Sequence, residues 1–285
     1  MNNAFEQDYL NTVFDVMYSG EDIKNIRTGA VCRTIPFEVY QYTNFPAISS
    51  KQVFLKSAIA EMVGYLRGYT NAADFRRIGT RTWDSNANET KAWLANPNRK
   101  GEDDMGRVYG AIGRDWNGTG NIDLLYDIYE DLKKGVDNRG EILTFWKPDE
   151  FDKGCLRPCM HTHQFTLING VLYLTSIQRS TDVGLGLPFN MVQVWFLLSL
   201  MAQITGHKVG GATHMMTNVH IYENQFDSMY DLLKREVRND NNPELVFDPR
   251  CVNLNYVLDE ANTIDDIVKV VGYTHSGKLE VPFTS

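Results

Sequence analysis

The chain has 285 residues, 43% hydrophobic and 22% charged, with a formal net charge of −8. That supports one large domain or two modest ones with a full core, and excludes a disordered chain. The negative balance argues against a nucleic-acid groove, and four cysteines in so long a chain form no disulfide framework. The polar, acidic start MNNAFEQDYL is no signal peptide. The most apolar stretch, Asn190 to Ile204, is interrupted by Gln193, Ser199 and Gln203, so no window of about 18 apolar residues is expected to span a membrane. A cytoplasmic protein is the expectation.

Val53 to Leu66 places Phe54, Leu55, Ala58, Ile59 and Met62 at helical spacing, and Gly68 ends the run. The polar stretch Ser85 to Gly106, with NPNRKGEDD, reads as a surface loop inside one domain spanning 1–285. Ile122 to Leu132 is a second helical pattern, stopped by Gly135. Glu141 to Trp146 reads as a strand. Gln164 to Ile168 and Val171 to Gln178 flank Asn169-Gly170, the strongest short-range hairpin signal. Asn190 to Thr205 is apolar on most faces, a buried helix stopped by Gly206, and Asn224 to Val237 is an amphipathic one. Long strands segregated from several helices predict an α+β fold with an antiparallel or mixed sheet.

Chemistry concentrates in RPCMHTHQF, the hairpin, and QRSTDVGLGLPFN. Cys159 follows a proline just before a strand, and the hairpin returns Arg179 and Ser180 towards it. A thiol beside a guanidinium ionises more readily and becomes a nucleophile. Arg179 with Ser180 equally suits a phosphate, and Cys159 equally suits a buried, inert position. Cys155 and Cys159 lack a second ligand pair, so no metal is expected. GLGLPFN delivers Asn190 to the start of a helix, either as a ligand-reading carboxamide or as a plain N-cap.

In this order and near this spacing, RPCMHTHQF, QRSTDVGLGLPFN and VHIYENQ resemble the thymidylate synthase family. NIRTG, FLKSAIAEMVGYLRGYTN, RTWDSN, MGRVYG, VDNRGE and the terminal VPFTS also find counterparts, so the resemblance runs from Ile26 to Ser285. The family's synthases methylate dUMP at C5, and its phage-type hydroxymethylases place a hydroxymethyl group on the same carbon of dUMP or dCMP. Both use 5,10-methylenetetrahydrofolate. The resemblance implies a single-domain fold that dimerises through its sheet. It makes Cys159 the thiolate that adds to C6, Glu61 the carboxylate that manages the C5 proton through water, and Tyr109 part of that water network. Asp182 matches a residue serving both catalysis and folate binding, and Lys51 and Trp83 match folate contacts. Arg27, Arg179 and Ser180 match phosphate binders, with Arg139 given by the other subunit of a homodimer. His220 and Tyr222 match the ribose-binding pair. Asn190 matches the residue that reads uracil, where the family's dCMP enzymes carry Asp.

The chain departs from the usual pattern at several of these places. Met160 follows the nucleophile where His is usual, and Gly140 stands where a second arginine is expected. Met216-Thr217-Asn218 replaces a Gly-Gly-Asp run, Gly64 replaces a tryptophan, and Ile112-Gly113-Arg114 replaces Gln-Trp-Arg. The tail ends in Phe283-Thr284-Ser285 where a small apolar end is usual. Lost aromatic bulk and a polar tail favour admission of water, so the expectation is a divergent, phage-type dUMP hydroxymethylase giving 5-hydroxymethyl-dUMP. Trp83 opposes this, and reductive methylation to thymidylate is the alternative. An inactive nucleotide- or RNA-binding paralogue is the third reading.

Overall fold

Asn169 and Gly170 turn the chain with φ of 50° and 74°, the doubly left-handed turn that suits the twist of a two-residue hairpin. The computed structural model describes residues 4–26 and 29–284. Its strands are β1 Glu21–Lys24, β2 Val31–Tyr42, β3 Ile142–Thr144, β4 Met160–Ile168, β5 Val171–Gln178, β6 Thr181–Asp182, β7 Lys208–Tyr222, β8 Glu244–Phe247 and β9 Val268–Val271. Its helices are α1 Ala4–Ser19, α2 Leu55–Leu66, α3 Ala72–Arg77, α4 Asp84–Asn88, α5 Lys91–Leu94, α6 Gly110–Arg114, α7 Leu124–Lys133, α8 Gly186–Thr205 and α9 Phe226–Leu232.

The main sheet runs β1-β2-β7-β5-β4-β3, with β6 also paired to β7, while β8 and β9 form a separate pair. β7 lies parallel to β5 and antiparallel to β2, so the sheet is mixed and the fold is α+β. β5 alternates, with Leu172, Leu174, Ser176 and Gln178 inward and Tyr173 and Ile177 outward, as a half-covered sheet requires. The inner face packs on α8, which is buried on nearly every side and closed by Gly206 in the left-handed conformation (φ 78°).

Several sequence expectations change here. α8 begins at Gly186, so Asn190 sits one turn inside the helix and is not its cap. The whole of α8 is uncharged and long enough to cross a membrane, contrary to the expectation that no such window exists. Burial of 83% of that window inside the fold makes it a core helix. The stretch 85–106 is no simple surface loop. It carries most of α4 and all of α5, buries Trp93 with its Nε1 on Asp104 O (2.6 Å), and pins Asp103 with Arg76. The helix expected to reach Val237 stops at Leu232, because Arg235 leaves the helical line to donate to the carbonyls of Gly277 (3.0 Å) and Lys278 (2.7 Å). α1, β2 and β7 were not foreseen.

Candidate active site

β4 and β5 bring the two halves of the site together. Met160 pairs with Gln178, so Cys159 and Arg179 stand side by side at one end of the hairpin. Arg179 donates its amide to Cys159 O (2.9 Å), its Nε to Pro158 O (2.9 Å) and its Nη2 to Arg157 O (2.7 Å). Nη2 also lies 3.8 Å from Cys159 Sγ, and the guanidinium covers the Trp146 ring at 5.6 Å. A cation so fixed favours the thiolate. Cys159 is half-buried, as is Cys155, whose desolvation pushes its thiol up to about 12. Ser180 follows Arg179, partly exposed, and its carbonyl accepts from Gln178.

Tyr109 hangs the nucleophile in place. Its hydroxyl accepts from Cys159 N–H (2.9 Å), and its ring stacks on Tyr65 at 4.4 Å and 9°. Its backbone sits at φ 44°, a strained conformation held by the surrounding rings. Burial and the nearby Cys159 charge push its hydroxyl well above the usual range, so it remains protonated. Trp83 meets Tyr109 edge-on (5.5 Å), and its Nε1 is buried without a hydrogen bond of good geometry. Glu61 lies one turn before Tyr65 on α2. Burial pushes its carboxyl up, while Thr82, Gln193, Tyr65 and Trp83 turn polar groups towards it and pull it back.

Asn190 joins both sides, with Oδ1 accepting from Gln178 Nε2 (2.9 Å) and Nδ2 donating to Gln193 Oε1 (2.9 Å). Gln193 Nε2 in turn donates to Glu61 (2.7 Å). His220 pairs with Asp182 across β6 and β7, and packs edge-on against Tyr222 at 5.0 Å. His220 Nδ1 faces Asn218 O at 2.7 Å, so it carries the proton there. Asp182 accepts from Leu185 N–H (3.0 Å) and Gln225 Nε2 (3.2 Å).

Three expected residues remain. Arg27 lies outside the described residues. Lys51 is buried and donates to Gly184 O. Burial pushes it down to about 8, with Asp182 pulling the other way. Arg139 (φ 68°) sits exposed on the turn before β3, beside Asp137, whose carboxylate accepts from Leu167 N–H. Leu167 is eight residues along β4 from Cys159, roughly 25 Å at strand rise. The Arg139 of one chain therefore does not reach the Cys159 of the same chain. Gln178 and Gln193, which hold Asn190, were missed. In the sequence Gln193 shows only as a polar interruption in an apolar run.

The glycines do not open the site. A Cβ on Gly64 would lie 2.2 Å from Phe75 Cε1, and one on Gly113 would lie 2.8 Å from Phe145 Cε1. Phe75 and Phe145 are buried and lie where a side chain on Gly64 or Gly113 would begin. Gly64→Ala is therefore expected to destabilise the fold by about 1–3 kcal/mol, read as a drop in denaturation midpoint, because the Phe75 ring has to move. An unchanged midpoint would show that the ring yields freely. Met160 is buried, and the tail is docked, with Gln225 Nε2 on Pro282 O (3.0 Å), Ser228 Oγ on Glu280 O (2.7 Å) and Thr284 Oγ1 on Asn224 Oδ1 (3.1 Å).

The family profile described as Thymidylate synthase matches residues 7–285. A protein named thymidylate synthase from Shewanella halifaxensis is 50% identical over 285 residues, covering 98% of this chain and 99% of the relative. Those of Shewanella frigidimarina and Haemophilus influenzae are each 51% identical, over 284 and 286 residues, with 97% and 98% of this chain and 99% of each relative covered. These bacterial relatives overturn the expectation of a phage-type hydroxymethylase. The packing of Phe75, Phe145 and the tail removes the physical ground for that expectation. A match over nearly the full chain, with relatives at half identity throughout, places this chain in the thymidylate synthase family.

Proposed function

We propose that the chain converts dUMP to thymidylate, taking a one-carbon unit from 5,10-methylenetetrahydrofolate. The observation that carries this reading is Cys159, its backbone N–H on the Tyr109 hydroxyl and its thiol 3.8 Å from the Arg179 guanidinium, in a site where Asn190 keeps one N–H and one lone pair uncommitted. C5 of uracil is a poor nucleophile until a thiolate adds at C6. Cys159 supplies that thiolate, and Arg179, with Ser180, grips the phosphate. Asn190 complements the N3 donor and O4 acceptor of uracil, and His220 with Tyr222 holds the ribose. Glu61, its carboxyl raised by burial, handles the C5 proton through water.

The residues around Glu61 fit a reduced folate. Trp83 offers a buried ring whose Nε1 makes no hydrogen bond of good geometry, and Asp182, in the motif that also carries Arg179 and Asn190, offers a carboxylate. Bound there, the folate supplies the carbon and the hydride. The protein's part is to keep water out, through Trp83, Phe75, Phe145 and the docked tail.

The active form is a homodimer with Arg139 acting in the partner's phosphate site. Val39, Met215 and Ile177 stand in one row across β2, β7 and β5, each more than a third exposed, an apolar row suited to a second copy. Incubation with dUMP and methylenetetrahydrofolate should yield thymidylate and dihydrofolate in equal amounts by mass spectrometry. Equimolar tetrahydrofolate without thymidylate would overturn the reading.

A further inference from the structure

Asn190 belongs to a longer array. Gln178 Nε2 donates to Ser180 O (3.0 Å) as well as to Asn190, and Gln193 Nε2 donates to Ala58 O (3.2 Å) as well as to Glu61. A backbone carbonyl only accepts, so both glutamines must turn their nitrogens towards it. The outer end agrees, since His214 Nε2 meets Gln178 Oε1 at 2.9 Å and the Tyr42 hydroxyl meets His214 Nδ1 at 3.1 Å. Gln178, Gln193, His214 and Tyr42 are all buried. Every donor from Tyr42 to Glu61 therefore points the same way, and the Asn190 carboxamide has one orientation.

We infer that Gln193 is a specificity-determining positioning residue, which holds Asn190 in the orientation that reads uracil and opposes a carboxylate at position 190. The inference deepens the proposed function and rests on it. Uracil presents a donor at N3 and an acceptor at O4. Cytosine presents the reverse, so a half-turn of the carboxamide would exchange the two bases. If residue 190 is Asp, one oxygen still accepts from Gln178. The other faces Gln193 Oε1 with no hydrogen between them. Gln193 escapes only by turning its own oxygen onto Ala58 O and the Glu61 carboxylate, which leaves buried acceptors facing one another. Residue 190 alone does not decide the base.

The test follows tritium release from C5-labelled dUMP and dCMP with the full-length wild type, Gln193→Met, Gln193→Ser, Asn190→Asp and Asn190→Asp/Gln193→Met. The ratio of kcat/KM for the two nucleotides, taken on one preparation, cancels any loss of folded enzyme, so a merely structural role would leave it unmoved. Both Gln193 variants should lower the preference for dUMP by at least about tenfold. Asn190→Asp should lose dUMP turnover without a matching gain on dCMP, and the double variant should exceed it on dCMP by at least about tenfold. An unchanged ratio in the Gln193 variants, or a full switch to dCMP by Asn190→Asp alone, overturns the inference while the proposed activity stands. Absence of release from dUMP with the wild type overturns the activity itself, and the inference with it.

Discussion

Cys159→Ser is expected to lower turnover by at least about 10⁴-fold while dUMP binding changes by less than about tenfold. A hydroxyl in the same place is far less acidic than a thiol, and the Arg179 guanidinium at 3.8 Å is suited to a thiolate, not to generating an alkoxide. The anchors of the loop do not depend on the sulfur. Cys159 N–H bonds to Tyr109 and Cys159 O accepts from Arg179 through the backbone, so the phosphate and base contacts keep their places. Tritium release from dUMP measures the chemistry, and calorimetric titration with dUMP measures the binding. Substantial release from a clean serine variant would remove Cys159 from the mechanism.

A mixture of the inactive Cys159→Ser and the weakly binding Arg139→Ala, assayed at a dUMP level too low to saturate the latter, is expected to gain activity once subunits exchange. The arginine of one chain is roughly 25 Å along β4 from its own cysteine, so it serves a partner or nothing. In a hybrid dimer both lesions fall in one site and the other is intact. Random exchange at equal amounts makes half the dimers hybrid, which returns roughly a quarter of wild-type sites. Arg139→Ala alone should weaken dUMP binding through the lost cation. No recovery after exchange shown by mass would argue that Arg139 acts in its own chain or not at all.

How far the sequence disclosed this molecule depended on the range of each signal. Asn169-Gly170 and the periodicity of Val53–Leu66 are local, and both elements formed there, the helix starting at Leu55. The two longest strands were hidden. β2 carries Pro36, and β7 opens on Lys208-Val209-Gly210-Gly211, so neither shows a clean alternation, and their identity comes from pairing with each other. The start of α8 was placed four residues late because glycine and proline at 186–188 read as a loop, whereas Pro188 falls in the first turn, where a missing N–H costs nothing. At the site, motif resemblance singled out Cys159, Tyr109, Arg179 and Asn190, which the structure brings together. It was silent on Gln178 and Gln193, whose importance lies in which atoms they face. It misled at Gly64 and Gly113, where an absent side chain was taken for empty space and a distant phenylalanine fills it.

The pairing of β2 with β7 also has a consequence for synthesis on the ribosome. β2 is complete at Tyr42, but the strand that covers its inner edge does not begin until Lys208. At bacterial or eukaryotic elongation speeds of about 5–20 residues per second, that edge waits roughly 8–30 s for its neighbour. Through that interval the nascent chain exposes one long unpaired edge of a strand bearing Phe37 and Val39, the kind of edge that recruits other strands. Newly made chains should therefore depend on chaperone shelter until about three-quarters of the polypeptide has emerged, and truncation before β7 should give aggregates, not a smaller folded protein.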